Sequence, residues 1–182
     1  MTTRTLYLLC SAAPPVFDVA HVIEDAQARG WDVCLGLTPT AAHWLTGSLD
    51  GLAALTGHPV CWQCRFPGEP GVWPEADALL FAPATFNTIN AWALGLTPNY
   101  AIGLAAEAAG KGIPTIAMPC LDTAFAAHPQ LETSLTTLRT AGVELLYGEN
   151  GFAPHPPGPD TVPHYPWHTA LNAINQTTTR HH

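Results

Sequence analysis

Short apolar runs alternate with helical segments along this chain, and the run at residues 78–82 constrains the fold most. It reads ALLFA and contains no polar residue, so neither face of a strand formed there could lie against water. Strands of this kind belong to parallel sheets that carry helices on both faces. The sequence therefore predicts an α/β fold in which one domain is built on a three-layer, doubly wound parallel sheet.

The same patterns place the other elements. The predicted strands are 5–10, 32–37, 78–82, 113–118 and 143–147. The predicted helices are 16–29, 38–45, 85–94, 99–110, 129–141 and 167–175. Residues 57–74, rich in Pro and Gly, are predicted to form an extended loop with at most one short edge strand, and 148–166 a Pro-rich arm. The whole chain, 1–182, is treated as one Rossmann-like or flavodoxin-like domain with a tail at 177–182, where His181-His182 resembles the end of a purification tag.

Charge excludes some partners. The net charge is −8, and the six Lys and Arg residues form no cluster, so neither nucleic acid nor an anionic membrane surface is expected as a partner. Charged residues make up 11% of the chain, against about 25% in typical soluble domains. Either uncharged polar residues cover the surface, or identical subunits bury much of it.

The cysteines and the termini suggest a compartment. No run approaches a membrane span and no secretion signal is recognised, so we expect a cytoplasmic protein whose five cysteines are reduced. Cys61 and Cys64 have the C-x-x-C spacing but lack a second pair of ligands, so no metal site is expected. Whether this pair or Cys120 is redox-active stays open.

Loops that follow the strands are where ligands bind in an open parallel sheet. Ser11, Thr38, Thr40 and Thr85 each follow a predicted strand and lie close to the start of a helix. A chain with so few cations would hold a phosphate with such hydroxyls and with backbone N–H groups. Taken singly, each hydroxyl is more often a simple helix cap. Neither G-x-G-x-x-G nor a Walker A motif is present.

A family resemblance enters at residues 83–88, which read PATFNT directly after the buried strand. The segment resembles the P-A-S/T-A-N-T signature of the homo-oligomeric flavin-containing cysteine decarboxylases, and the similarity continues through 112–119 and 128–143. This resemblance implies FMN bound between subunits of a trimer or dodecamer. It implies that the flavin contacts include Ser11, Thr38, Thr40, Pro83, Ala84, Thr85, Asn87 and Met118.

Two positions depart from the family pattern. An essential histidine precedes the signature strand in family decarboxylases, and the corresponding residue here is Glu69, with His58 the nearest histidine. The family's substrate clamp, P-x-M-N-x-x-M-W, reads PCLDTAFA at 119–126, so Asp122 replaces an asparagine. An asparagine can donate a hydrogen bond to a substrate carboxylate, whereas an ionised aspartate can only accept one.

The resemblance implies an FMN-dependent oxidative decarboxylation of a cysteine-containing peptide or small thiol. Asn87 and Asp122 are expected at the substrate, with Glu69 or His58 handling protons. The departures leave two alternatives open. One is a different flavin chemistry, such as another oxidation or a flavin prenyl transfer, and the other is a non-catalytic flavin-binding subunit.

Overall fold

Five strands form a single parallel sheet in the computed structural model, which describes residues 3–64, 68, 70–158 and 164–179. The strands are β1 (Arg4–Cys10), β2 (Trp31–Leu37), β3 (Ala78–Ala84), β4 (Thr115–Pro119) and β5 (Glu144–Leu145). Their order is β2-β1-β3-β4-β5, and every neighbouring pair runs parallel. The predicted α/β class and doubly wound parallel sheet are confirmed.

Side chains of each strand alternate between two apolar cores, one on each face of the sheet. Leu6, Leu8 and Cys10 of β1 pack into one core, and Leu9 packs into the other. The first core is covered by α1 (Val19–Ala28), α2 (Pro39–Trp44), α3 (Leu49–Thr56) and α8 (Trp167–Thr179). The second is covered by α4 (Phe86–Ala93), α5 (Tyr100–Gly110) and α7 (Pro129–Thr140). In the described part of the chain, no helix combines the length and apolar character needed to cross a membrane.

Several boundaries differ from the sequence prediction. The predicted helix at 16–29 begins as a 3-10 turn, Pro14–Asp18, before α1. Helix α3 was not predicted, because only Leu52 and Thr56 are buried and the apolar stripe is too thin to detect. The one-turn helix α6 (Thr123–Ala126) is too short to show a period. Among the described residues of 57–74, the predicted edge strand reduces to one parallel bridge between Cys61 and Gly36. Helix α8 continues to Thr179.

The C-terminal arm begins with a tight return beside β5. Phe152 N donates a hydrogen bond to the Leu146 carbonyl at 3.3 Å, and Gly148 N donates to the Phe152 carbonyl at 3.2 Å. Between them, Gly151 lies so close to Leu146 that an added Cβ would be 2.1 Å from the Leu146 carbonyl carbon. Only glycine fits this approach, so Gly151 fixes where the arm turns back onto the sheet.

Replacing Gly151 with alanine should therefore destabilise the protein, because the new methyl group meets backbone atoms that cannot rotate away. We expect Gly151→Ala to lower the free energy of unfolding by about 1–3 kcal/mol. Gly103→Ala is the matched control, since Gly103 lies within α5 with no atom within 4 Å of an added Cβ. It should be neutral or stabilising by up to about 1 kcal/mol. Thermal unfolding measures both, and equal melting temperatures for the two variants would refute the argument.

Candidate active site

The strand order reverses between β1 and β3, and a cleft of about 760 Å³ lies at the carboxyl end of the sheet there. Chain connections leave these two strands in opposite directions, so their loops separate and leave a crevice. The loops that follow β1, β2, β3 and β4 line it, together with part of the C-terminal arm. A cleft of this volume is in the range that binds cofactors and small molecules.

Backbone hydrogen bonds tie these loops together beneath the cleft. Ser11 N donates to the Pro83 carbonyl, Thr38 N to the Cys10 carbonyl and Cys120 N to the Ala84 carbonyl, each at 2.9 Å. The pairing of β3 with β4 shifts register between Phe81 and Ala84, an irregularity of the kind that bends a strand. The loops are therefore held at fixed positions by the sheet.

Three hydroxyl groups form a chain from the end of β1 to the start of α4. Ser11 Oγ lies 2.7 Å from Thr88 Oγ1, which lies 3.1 Å from Thr85 Oγ1. Ser11 is 1% exposed and does not line the cleft, whereas Thr85 and Thr88 both line it. Because each hydroxyl can donate and accept, this chain couples the buried Ser11 to the cleft surface.

Helices around the cleft differ in how their first turns are capped. Thr38 and Thr85 occupy the N-cap positions of α2 and α4, but neither side chain caps its helix. By contrast, Asn99 and Asp122 cap α5 and α6, accepting hydrogen bonds from Ile102 N and Phe125 N. The simple capping role considered for Thr38 and Thr85 is therefore not what these hydroxyls do.

The C-terminal arm completes the wall at the β4 end of the cleft. Its backbone pairs beside Asp122 through one parallel bridge to His155, and Thr123 N donates to the His155 carbonyl at 2.8 Å. This pairing brings the His155 side chain into the lining of the cleft, next to Asp122.

The expected site residues differ in whether they line the cleft. Thr38, Thr40, Thr85, Asn87 and Asp122 all line the cleft. Ser11 lies behind the lining, where it reaches the cleft through Thr88. The buried side chains of Pro83, Ala84 and Met118 belong to the strands beneath and do not line it.

Of the two expected proton handlers, His58 is not brought into the cleft. His58 Nε2 lies 2.8 Å from Asp32 Oδ1, near the amino-terminal end of β2. Asp32 is five residues before Leu37, so about 16 Å of strand separates it from the carboxyl edge. The contact with His58 therefore fixes the loop after α3. Glu69 lies outside the described residues.

His155 and an aromatic wall were missed by the sequence analysis. Trp44, Phe86 and Phe125 line the cleft, with the rings of Phe86 and Phe125 stacked at 4.9 Å. Nothing local marks His155, because its position depends on pairing between segments more than thirty residues apart in the chain. In the sequence, the phenylalanines are marked only by their place in the loop motifs at 83–88 and 119–126.

Cys120 lines the cleft but is 5% exposed. Burial raises the pKa of its thiol to about 12, because a thiolate would lose its hydration there. The thiol therefore remains protonated near neutral pH, and it behaves as a small apolar wall residue.

Comparison with known proteins identifies the family. The model of the family described as Flavoprotein matches residues 1–163. The chain belongs to the Flavoprotein family. A curated relative, the coenzyme A biosynthesis bifunctional protein CoaBC of Haemophilus influenzae, is 26% identical over 147 residues, 78% of this chain and 35% of that protein. This flavoprotein chain therefore spans about a third of the length of the curated relative it matches.

Solved structures share the fold of this flavoprotein. The FMN-dependent cysteine decarboxylase TvaF from thioviridamide biosynthesis has a TM-score of 0.74 at 22% identity, over 98% of this chain and 99% of that one. The peptidyl-cysteine decarboxylase EpiD has a TM-score of 0.69 at 16% identity, over 96% and 99%. A PPC decarboxylase variant complexed with pantothenoylaminoethenethiol has a TM-score of 0.63 at 20% identity, over 79% and 81%.

The burial of Cys120 predicts a slow reaction with alkylating agents. With a pKa of about 12, about one Cys120 thiol in 10,000 is ionised at pH 8, whereas Cys64 is exposed. Iodoacetamide at pH 8 should therefore modify Cys64 much faster than Cys120, as followed by peptide mass spectrometry. In denaturant both should react at similar rates. A native Cys120 that reacts as fast as Cys64 would show that its thiol is open to redox chemistry.

Proposed function

We propose that this flavoprotein binds FMN in the cleft where the strand order reverses. There it oxidises a cysteine-containing peptide or small thiol, which then loses carbon dioxide. One observation carries the proposal. Thr38 and Thr85 stand at the N-cap positions of α2 and α4 and line this cleft, but their side chains make no cap hydrogen bond, in a member of the Flavoprotein family. Neither hydroxyl is used in a helix cap, and each can bond to a ligand, although that of Thr85 also lies 3.1 Å from Thr88 Oγ1. Similarity in fold to FMN-dependent cysteine decarboxylases supports the choice of cofactor and reaction.

The distribution of charge supports an orientation for the cofactor. None of the described lining residues is Lys or Arg, so a phosphate would be held by the hydroxyls of Thr38 and Thr40 and by backbone N–H groups. Thr38 follows β2 and Asp122 follows β4, which lie three strand spacings, about 14 Å, apart. A phosphate at the β2 side would therefore be far from the one lining carboxylate among the described residues.

Aromatic residues suit the rest of the cofactor. Trp44, Phe86 and Phe125 offer flat apolar surfaces of the kind against which a planar ring system packs. When bound, FMN supplies a two-electron acceptor for the carbon that carries the thiol. In the proposed reaction the substrate loses one hydride and the thiol proton to become a thioaldehyde, from which carbon dioxide leaves readily. An external electron acceptor such as dioxygen must then take up the two electrons.

The chain's own residues would bind and orient the substrate. Asn87 is exposed in the cleft and its amide can donate to a substrate carboxylate. Asp122 stands at the β4 side, where its Oδ1 accepts a hydrogen bond from Phe125 N at 2.9 Å. A carboxylate there would repel a substrate carboxylate brought beside it.

Asp122 also favours a second candidate function, flavin-dependent oxidation of a thiol that carries no carboxylate or carries a positive group. A cationic group beside Asp122 would be attracted to its charge, and the rings of Phe86 and Phe125 would add a cation–π contribution. The two candidates share the cofactor site and differ in what Asp122 contacts.

We also propose that the protein assembles into a homo-oligomer with the cleft near a subunit contact. Phe17 is 61% exposed and Trp44 is 43% exposed, and their rings stack at 5.8 Å beside the cleft. Exposed aromatic pairs are unusual on a monomer and are enriched in interfaces. The low fraction of charged residues supports the same assembly.

The cofactor proposal predicts that the purified protein shows flavin absorbance and releases FMN, identified by mass, on denaturation. Thr38→Val should weaken FMN binding about tenfold, because it removes a phosphate hydrogen bond worth about 1–1.5 kcal/mol. Thr133→Val, on the exposed face of α7, is the matched control and should bind FMN normally. A colourless protein that fails to take up added FMN would exclude the proposal.

Replacing Asp122 with asparagine separates the two candidate reactions. The asparagine side-chain oxygen can still accept from Phe125 N, so α6 should keep its cap. If the substrate carries a carboxylate, Asp122→Asn should increase kcat/KM for a peptide ending in cysteine about tenfold, or about 1.4 kcal/mol. If the substrate is cationic, the same variant should instead reduce turnover of a thiol amine such as cysteamine. Asp50→Asn removes an equal charge from α3 and should change neither rate.

A further inference from the structure

The three hydroxyls that join Ser11 to Thr85 through Thr88 can be assigned a direction of hydrogen bonding. Each hydroxyl has one proton to donate, and its oxygen can also accept. The distance is 2.7 Å between Ser11 Oγ and Thr88 Oγ1, and 3.1 Å between Thr88 Oγ1 and Thr85 Oγ1. Which atom donates in each contact therefore depends on where the two ends of the chain can place their protons.

Ser11 forms the closed end of this hydroxyl chain. It is 1% exposed, so neither solvent nor a second subunit can reach its hydroxyl. Among the residues that the structure describes, Thr88 Oγ1 is the one hydrogen-bond partner of Ser11 Oγ. A buried O–H group without an acceptor is unfavourable, because it has lost its hydrogen bonds to water. Ser11 therefore donates to Thr88.

Thr88 passes this direction on. Threonines within helices often donate to the carbonyl one turn earlier, as Thr137 does to the Thr133 carbonyl at 2.9 Å. The hydrogen-bond partners of Thr88 in the described part of the chain are instead the hydroxyls of Ser11 and Thr85. Thr88 is 3% exposed, and with its oxygen accepting from Ser11, its own proton goes to Thr85 Oγ1.

Thr85 is the open end of the chain. It is half-buried and lines the cleft, and its side chain does not cap α4. Because its oxygen accepts from Thr88, its proton is directed at the group that fills the cleft. A hydroxyl that accepts one hydrogen bond donates a stronger one, since the two bonds polarise each other. Thr85 thus presents a hydrogen-bond donor to the ligand.

The position of Thr85 along the sheet suits the ring system of FMN, an inference that rests on the proposed function. Thr85 follows β3, two strand spacings, about 10 Å, from β2, where Thr38 would hold the phosphate. In FMN a five-carbon chain separates the phosphate from the ring system. The aromatic residues that line the cleft include Phe86, the next residue in the chain. The strong acceptors of the flavin ring include the two carbonyl oxygens of its pyrimidine portion.

We propose that Ser11 and Thr88 are positioning residues that fix the Thr85 hydroxyl as a hydrogen-bond donor to a carbonyl oxygen of the flavin ring. Ser11 sets the direction from its buried position, and Thr88 transmits it. The contact with the cofactor is made by Thr85. Ser11, which the sequence resemblance placed among the flavin contacts, acts in this proposal through Thr88 instead.

The direction of the chain can be tested without measuring turnover. Thr88→Val leaves the Ser11 proton without an acceptor, whereas Ser11→Ala leaves Thr88 able to donate to Thr85. In the full chain without added FMN, Thr88→Val should therefore lower the melting temperature by about 3–6 °C more than Ser11→Ala. The double variant should recover part of that loss, because it strands no buried donor. Equal losses for the two single variants, or a double variant no more stable than Thr88→Val, would overturn the assigned direction.

Flavin analogues test the acceptor. In 2-thio-FMN and 4-thio-FMN one carbonyl oxygen is replaced by sulfur, which is a weaker acceptor. One of the two should bind the wild-type protein about tenfold more weakly than FMN, the effect of one lost hydrogen bond. Thr85→Val should bind that analogue and FMN within about twofold of each other.

Substitutions of Thr88 then test the positioning role. Thr88→Val should reduce the tenfold preference to about threefold, because the Thr85 hydroxyl can rotate and is no longer polarised. Thr88→Ser keeps the hydroxyl and should restore the preference. Thr137→Val, the matched control on the exposed face of α7, should leave it unchanged.

The possible failures are distinguishable. If Thr88→Val kept the full tenfold preference, Thr88 would not be a positioning residue. If the wild-type protein bound FMN and both thio analogues equally well, Thr85 would not donate to a flavin carbonyl. A wild-type protein that binds none of the three flavins would instead refute the cofactor proposal on which this inference rests.

Discussion

The cleft depends on the carboxyl edge of the sheet being closed by backbone hydrogen bonds at the point where the strand order reverses. Ser11 N bonds to the Pro83 carbonyl and Cys120 N to the Ala84 carbonyl, each at 2.9 Å, so the loops after β1, β3 and β4 are joined beneath the crevice. Without these bonds, nothing in the backbone would join the loops after β1, β3 and β4 beneath the cleft. With them, the side chains that line the cleft are positioned by strands buried on both faces, which are the most rigid part of the fold.

The cleft offers polar groups but no cations among its described lining residues. A cleft without Lys or Arg among its described lining residues would have to stabilise negative charge with dipoles. The hydroxyls of N-cap threonines that do not cap their helices can supply such dipoles. The Ser11–Thr88–Thr85 chain extends this polar surface into the buried end of β1. Helices α2 and α4 lose stability because the side chains of Thr38 and Thr85 do not cap them. This loss is consistent with a binding role for the two hydroxyls.

The β4 side of the cleft has the opposite character. Asp122 introduces a negative charge, and the arm adds an imidazole next to it through the pairing of His155 with Asp122. The cleft is thus polarised along the sheet, with hydroxyls at the β2 side and ionisable groups at the β4 side. This separation gives the two ends of the cavity different electrostatic surroundings. His58, by contrast, is held by Asp32 near the amino-terminal end of β2.

The sequence alone determined the class of the fold and several of the loops that line the cleft. Apolar runs such as 78–82 permit only a strand buried on both faces, and the topology rule then brings the loops with Thr38, Thr40, Thr85, Asn87 and Asp122 to one edge. Two helices are not predictable from the sequence pattern. Helix α3 buries only Leu52 and Thr56, and α6 is one turn long, so neither shows a clear apolar period. Only the tertiary structure decided that Ser11 reaches the cleft through Thr88 and that His155 lines the cleft while His58 does not. Those outcomes depend on pairing between segments far apart in the chain, and local periodicity carries no record of such contacts.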